Sequence, residues 1–276
     1  DVLRVAREYW HPAELSLVAV GNPKDFGKPL TALNLPVKPI DLTIPEPKEA
    51  SNESEVHAGA QSLAQGKALL ARLAAALGGV DKLASVKDTD WSADVVLETG
   101  PGGGMKAKQR NLFLLPNLFR QEQQLPFGKV TAYSDGKTGW IASLRGVMPM
   151  SAQVLHQVQG DMFRNLILLA LSGRDPARTV TAVAPGTLEI SGASGQRVKL
   201  VIDPRTGLPV NEIYQGAGMG GPAAVEETYS DWREVSGIEV PFKVTIEQGT
   251  HRAAGVTVTR YKVNTGLKPA ALSMTP

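Results

Sequence analysis

The stretch His11-Pro12-Ala13-Glu14-Leu15 carries the first four positions of an inverted helical zinc motif, H-x-x-E-H, with leucine where the second histidine belongs. That motif needs two imidazoles on one helical face to hold the ion, and a glutamate to activate water beside it. Pro12 would break such a helix, and residues 15–20 form an unbroken apolar run of the kind that makes a strand covered on both faces. His11 is therefore expected at a helix end, with no metal role. The other histidines, His57, His156 and His251, are scattered, with His57 in a polar stretch and His156 and His251 on exposed positions. The chain has no cysteine, which excludes disulfides, thiolate metal sites and a cysteine nucleophile. No serine has a histidine or acid at nucleophile-elbow spacing. The glycine-rich residues 100–105 lack the lysine and following helix of a phosphate loop and read as a flexible hairpin, as do residues 216–224. Asp88 and Asp90 precede a strand, and nothing further supports calcium there.

With no catalytic constellation in view, the chemistry left to this chain is apolar binding. Phe113, Leu115, Phe119, Trp140, Met148, Met150, Leu155, Met162 and Leu166 are the candidates to line a cavity. Methionine adapts to irregular apolar ligands, and its clustering near residues 148–162 suits such a site. The same side chains would equally serve as ordinary core.

The elements that must position these residues follow from periodicity. Residues 1–45 read as helix, strand, short helix and extended tail. Residues 46–59, rich in Pro, Glu and Ser, have linker composition. From residue 60, Leu63, Leu69, Leu70, Leu73, Ala74 and Leu77 form a helical apolar face that Gly78-Gly79 ends, and a short helix over 80–85 follows. The pattern then turns to period two: strands are expected over 91–98, 106–115, 118–124, 129–134, 139–143, 179–183, 187–191, 197–203, 209–215, 225–234, 240–248 and 255–263. Ser134-Asp-Gly, Asp203-Pro-Arg-Thr-Gly207 and Ser236-Gly supply turns. Short turns make the pairing antiparallel. One helix, 151–171, interrupts the series, with Ser151 as its cap and residues 144–151 as a hinge. A sheet of so many strands must curl or close, so the expected fold is α+β: a curved antiparallel sheet, an unclosed barrel, covered by a few helices.

The bulk figures fit this. The net charge is +2 over 276 residues, too balanced for a nucleic-acid binder, and no apolar run approaches the ~20 residues of a membrane-crossing helix. The chain opens on Asp1, inside an expected helix, and reads as a piece of a longer protein, so the lack of a signal peptide says nothing of location.

Two resemblances divide the chain. "VAREYWHPAELSLVAVGNPKDF" resembles the carboxy-terminal end of an insulinase/pitrilysin-type zinc metallopeptidase domain, in which an α/β remnant of helix, strand and helix would occupy residues 1–45. "LLARLAAALGGVDKLASVKD", "LVIDPRTGLPVNEI", "YSDWREVSGIEVPFKV" and "VTRYKVNTGL" resemble the periplasmic lipoprotein carriers of LolA/LolB type, over about residues 60–276. The second resemblance implies an unclosed barrel with a helical lid, an apolar ligand such as a lipid, a lipoprotein acyl chain or an apolar peptide, and a bacterial periplasmic or envelope location. The first implies that any zinc and its catalytic motif lie upstream, so that this chain holds no cofactor. It also leaves an alternative: an accessory region of a peptidase, or an inactive subunit paired with a second peptidase-like one.

Overall fold

The computed structural model describes residues 59–98, 104–218, 221–249 and 251–275, together with Val2, Lys28 and Ala32. The helix, strand and tail expected over 1–45, and the linker up to residue 58, lie outside the described residues. The chain divides into two units, Asp1–Ser54 and Glu55–Pro276, and the fold below is that of the second.

Helix α1 (Ala60–Ala76) and helix α2 (Val80–Ser85) come first. Alanine and leucine dominate α1, the residues that lose least on entering a helix. Gly78 and Gly79, at φ of 119° and 91°, end it where residues with a Cβ would be strained. The strands follow as β1 (Asp88–Leu97), β2 (Met105–Leu114), β3 (Leu118–Leu125), β4 (Gly128–Ser134), β5 (Gly139–Ser143) and β6 (Gly146–Pro149). Helices α3 (Ala152–Phe163) and α4 (Leu166–Ala170) lead to β7 (Arg178–Ala184), β8 (Thr187–Gly192), β9 (Arg197–Ile202), β10 (Pro209–Gly218), β11 (Gly221–Val235), β12 (Ile238–Gln248) and β13 (His251–Val263), and a short α5 (Pro269–Ser273) follows.

All thirteen strands join one antiparallel sheet in the order β6-β5-β4-β3-β2-β1-β13-β12-β11-β10-β9-β8-β7. The meander is thus cut at β6 and β7, consecutive in sequence yet at opposite edges, and α3 and α4 bridge the cut. β3 and β10 lie six strand steps apart in this order, roughly 29 Å on a flat sheet. Helix α3 nevertheless touches both, packing Val158 and Met162 near Phe119 of β3 and placing Arg164, the residue after it, on Glu212 of β10. Six helical residues rise only about 9 Å. The sheet therefore curls around the helices, as a sheet of this width must.

Its inner face holds the core. Leu188, Ile190, Val198 and Leu200, each at most 1 % exposed, pack with Leu73 and Leu77 of α1, Leu83 of α2 and Leu169 of α4. The β7 edge is closed by α1: Ser62 Oγ donates to the Ala182 carbonyl at 2.8 Å. A Cβ on Gly66 would stand 2.7 Å from the Thr181 Cα. A Gly66→Ala variant should accordingly lose about 1–3 kcal/mol in urea denaturation, despite alanine's better helix propensity; a gain in stability would show that α1 can move off the edge. The β6 edge carries Val147 and Met148, half exposed, and ends at Pro149, which blunts pairing.

Two expectations are corrected. The helix expected over 151–171 is two helices, because Asn165 accepts from the backbone N–H groups of Ile167 and Leu168 and caps a new start. The hinge expected before it includes a paired strand, β6. The Ser151 cap is present, accepting from Val154 N–H at 3.3 Å.

Candidate functional site

The gap bridged by α3 and α4 contains a cleft of about 420 Å³. Its walls come from the β2–β3 turn (Asn117), α3 and α4 (Met162, Phe163, Leu168), the segment before β7 (Arg174), the first residue of β7 (Arg178) and the β8–β9 turn (Gln196). Both halves of the sheet and the lid thus contribute. Arg178 is held by the Leu168 carbonyl and Ser172 Oγ, each at 3.2 Å, and its guanidinium lies 4.3 Å from the Phe163 ring centre. Burial pushes its pKa down from the usual arginine value, against the pull of Asp175. One wall of the cleft is therefore apolar and the other offers cationic donors. A second recess, of about 500 Å³, is walled by Asp94, Lys108, Arg110, Glu122 and Lys129 and is too charged for an apolar guest.

Of the nine residues singled out from the sequence, Met162 alone lines the cleft. Phe113 and Phe119, with rings 4.8 Å apart, pack with Met150 and Met162 on the inner face beside α3. Leu115 and Leu166 pack against the main core, and Leu155 is half-buried on α3. Trp140 registers with Tyr133, and Tyr133 with Arg120. Arg120 reaches the Leu272 and Met274 carbonyls of the carboxy-terminal segment and lies 5.6 Å from the Trp140 ring centre. The period-two pleat thus sends Trp140 to the face opposite the lid. Met148 is 49 % exposed on the β6 edge. His156 and His251 are exposed, as expected.

The inner face also carries a strip that runs from Tyr229 through valines to alanine. Tyr229, Val244, Val256, Val95 and Ala107 are register partners in turn across β11, β12, β13, β1 and β2. Beside it, Gln121 donates to Asn111 at 3.0 Å and Gln123 to Gln109 at 2.9 Å.

Where this strip meets the lid stands a polar cluster that sequence reading did not find. Glu212 of β10, 1 % exposed, faces Glu227 of β11 directly across the pair. Tyr229 donates to Glu212 at 2.9 Å and Tyr214 to Glu227 at 2.8 Å. Arg164 follows α3, with Nε 3.4 Å from Glu212 Oε1, its other side on Asp161, and its guanidinium 3.4 Å from the Tyr214 ring centre. Burial, then the neighbouring Glu227 charge, pushes the Glu212 carboxyl well above the usual range. Burial likewise raises Glu227, and Asp161 rises to about 6 for the same reason, opposed by Arg164. The Asp161 side chain is still 45 % exposed, so solvent screening softens its rise.

The two acids noted in the sequence are structural. Both lie inside β1. Asp88 accepts from Thr265, Gly266 and Leu267 N–H groups. Asp90 is clamped by Arg110 and Arg260 at 2.9–3.2 Å, and the Arg110 bond holds its carboxyl below the usual range. Among the described residues, no group of three or more His, Asp or Glu is placed to hold a metal ion. Among them, too, no helix is long and apolar enough to cross a membrane.

No protein-family model matches the chain, and no curated protein matches its sequence. Solved structures do match its fold. The unclosed antiparallel sheet with a few helices is a LolA-like fold, and three solved structures share it. A LolA superfamily protein from Nitrosomonas europaea superimposes with a TM-score of 0.53 at 10% identity. A domain described as a putative outer membrane lipoprotein-sorting protein, from Vibrio parahaemolyticus, gives 0.51 at 9%. A DUF1329 family protein from Desulfovibrio piger gives 0.50 at 12%. Each match covers 76% of this chain and 97% of the other.

Proposed function

We propose that residues 60–276 bind an apolar ligand without catalysis: a lipid, a lipoprotein acyl chain or an apolar peptide, in the bacterial envelope. The observation that carries this reading is the cleft of about 420 Å³ in the gap of the unclosed sheet, within the ~300–1,000 Å³ range of small-ligand sites. Met162, Phe163 and Leu168 supply an apolar wall, and Arg174 and Arg178 can meet an anionic end. The lipoprotein-sorting description of one structural neighbour supports the choice of ligand class.

The test is lipid co-purification by mass spectrometry, with displacement of a fluorescent fatty acid. Leu168→Asp places a carboxylate on the apolar wall, and the backbone carbonyl that Arg178 uses is retained. Binding should weaken at least about tenfold, the scale of one desolvated polar group, with the far-UV spectrum unchanged. A folded domain that carries no lipid and binds no fatty acid would overturn the reading in favour of a purely structural domain.

A second reading rests on residues 5–26: the carrier-like domain would serve a zinc metallopeptidase, or an inactive subunit of one. Zinc content and peptide hydrolysis of the complete protein test it.

A further inference from the structure

Glu212 and Glu227 are direct cross-strand partners, and like charges so placed repel. The charged and titratable groups facing them are few. Helix α3 and the residue after it bring Asp161 and Arg164, β10 adds Tyr214, and β11 adds Tyr229. Among the described residues the count is three carboxyls to one guanidinium. Asp161, at the exposed rim, can rely on water; Glu212, at 1 % exposed, cannot. Arg164 can balance one of the two glutamates, and the other carboxylate, buried Glu212 or half-buried Glu227, would be left without a counter-charge among the described residues.

We propose that Glu212 and Glu227 form a proton-binding site, holding one proton between them at neutral pH, and that losing this proton releases the end of lid helix α3 from the sheet. With the proton in place, one glutamate is a neutral acid and Arg164 pairs with the other. Without it, two carboxylates face each other over Arg164, and water must enter to solvate them. The route for water is the Asp161 rim, so hydration and lifting of the helix end are one event. The raised proton affinity of both carboxyls agrees with this arrangement. A group whose folded pKa is raised contributes most in acid, and its contribution fades as pH climbs from the ordinary glutamate value of about 4.5 through the folded value. Closure should therefore be firm at pH 5 and weaken towards alkaline pH. Carboxylates with lowered values, such as Asp90 and Glu122, lose their contribution only below that window.

The device concerns the ligand-free protein, so its failure would leave the ligand-binding reading untouched. The chain has no cysteine, and His156 and Ser230 are exposed on α3 and β11. Spin labels on His156→Cys and Ser230→Cys therefore report the helix-to-sheet distance. One distance population is expected at pH 5, with a longer one growing in by pH 9. Glu227→Gln should hold the short distance throughout, and Glu212→Gln serves if that variant does not fold. The infrared spectrum of the unsubstituted protein at pH 7 should show a carboxylic-acid carbonyl band. A distance that does not change between pH 5 and pH 9 overturns the proposal, and so does a neutral-pH spectrum without that band.

Discussion

Replacing Asp88 with alanine should lower the stability of the sheet domain by about 1.5–3 kcal/mol, read as a fall in the urea midpoint at constant slope. Asp88 is 2 % exposed at the start of β1. Its Oδ1 accepts from Thr265 N–H at 2.6 Å and Thr265 Oγ1 at 2.7 Å, and its Oδ2 from Gly266 and Leu267 N–H at 3.0 and 3.3 Å. Removing the carboxylate takes the shared acceptor from three backbone donors; Thr265 and Gly266 are exposed, so water replaces part of what is lost, and the net cost is that of bonds to one charged group, about 1.5–3 kcal/mol. The effect should also travel. The turn carries the chain from β13 to α5, whose Leu272 is fully buried and whose Leu272 carbonyl accepts from Arg120 at 2.9 Å. Loosening it should raise proteolysis after residue 264 before the sheet unfolds. Asp88→Asn, which keeps one acceptor but turns an NH₂ towards N–H donors, should fall between the two. A loss below about 1 kcal/mol for the alanine variant would mean that the turn holds its shape without the carboxylate.

The parts of this fold that are local in sequence were legible, and the parts that depend on register were not. Period two marked twelve of the thirteen strands, and the turns between them carry their own chemistry. Asp203 Oδ1 accepts from Arg205 N–H at 2.6 Å. Asp135 Oδ1 accepts from Lys137 and Thr138 N–H at 2.8 and 2.7 Å. Asn165 was missed as a helix break because the apolar spacing runs on through Ile167 and Leu169, and only the side-chain cap reveals the new start. The missing strand, β6, has four residues, all exposed, with no buried face to signal it. Trp140 was placed under the lid because a large aromatic reads as interior. Which side of the pleat it takes depends on pairing with Tyr133, which composition does not reveal.

The acid pair was the least visible feature. A glutamate in a strand reads as solvent-facing, and Glu226-Glu227 puts one acid on each side of β11. That Glu227 turns inward and meets Glu212 follows from the register of β10 with β11 across a glycine-rich hairpin, whose length and sequence allow several registers. The one signal was helical: Asp161 and Arg164 stand three apart at the end of a helix that carries no other Asp, Glu, Lys or Arg.

Removing that partner from the lid gives the second large effect. Arg164→Ala should cost about 3–5 kcal/mol at pH 8, the scale of breaking one side of a buried ion pair, and distinctly less at pH 5. The guanidinium is 12 % exposed, sits 3.4 Å from Glu212, and covers the Tyr214 ring. At pH 8 its loss strands the glutamate charge that it balanced, with no other cation among the described groups that face it. Lowering the pH lets both glutamates take up protons, because burial already raises their affinity and removing the arginine raises it further. What persists at pH 5 is the packing lost from Tyr214, about 1 kcal/mol for a cation over an aromatic ring. Urea midpoints of the two proteins at both pH values separate these contributions. A loss of equal size at pH 5 and pH 8 would assign Arg164 to packing alone. A loss confined to pH 8 would assign it to charge, and would make the lid's grip on the sheet a matter of how many protons the two glutamates hold.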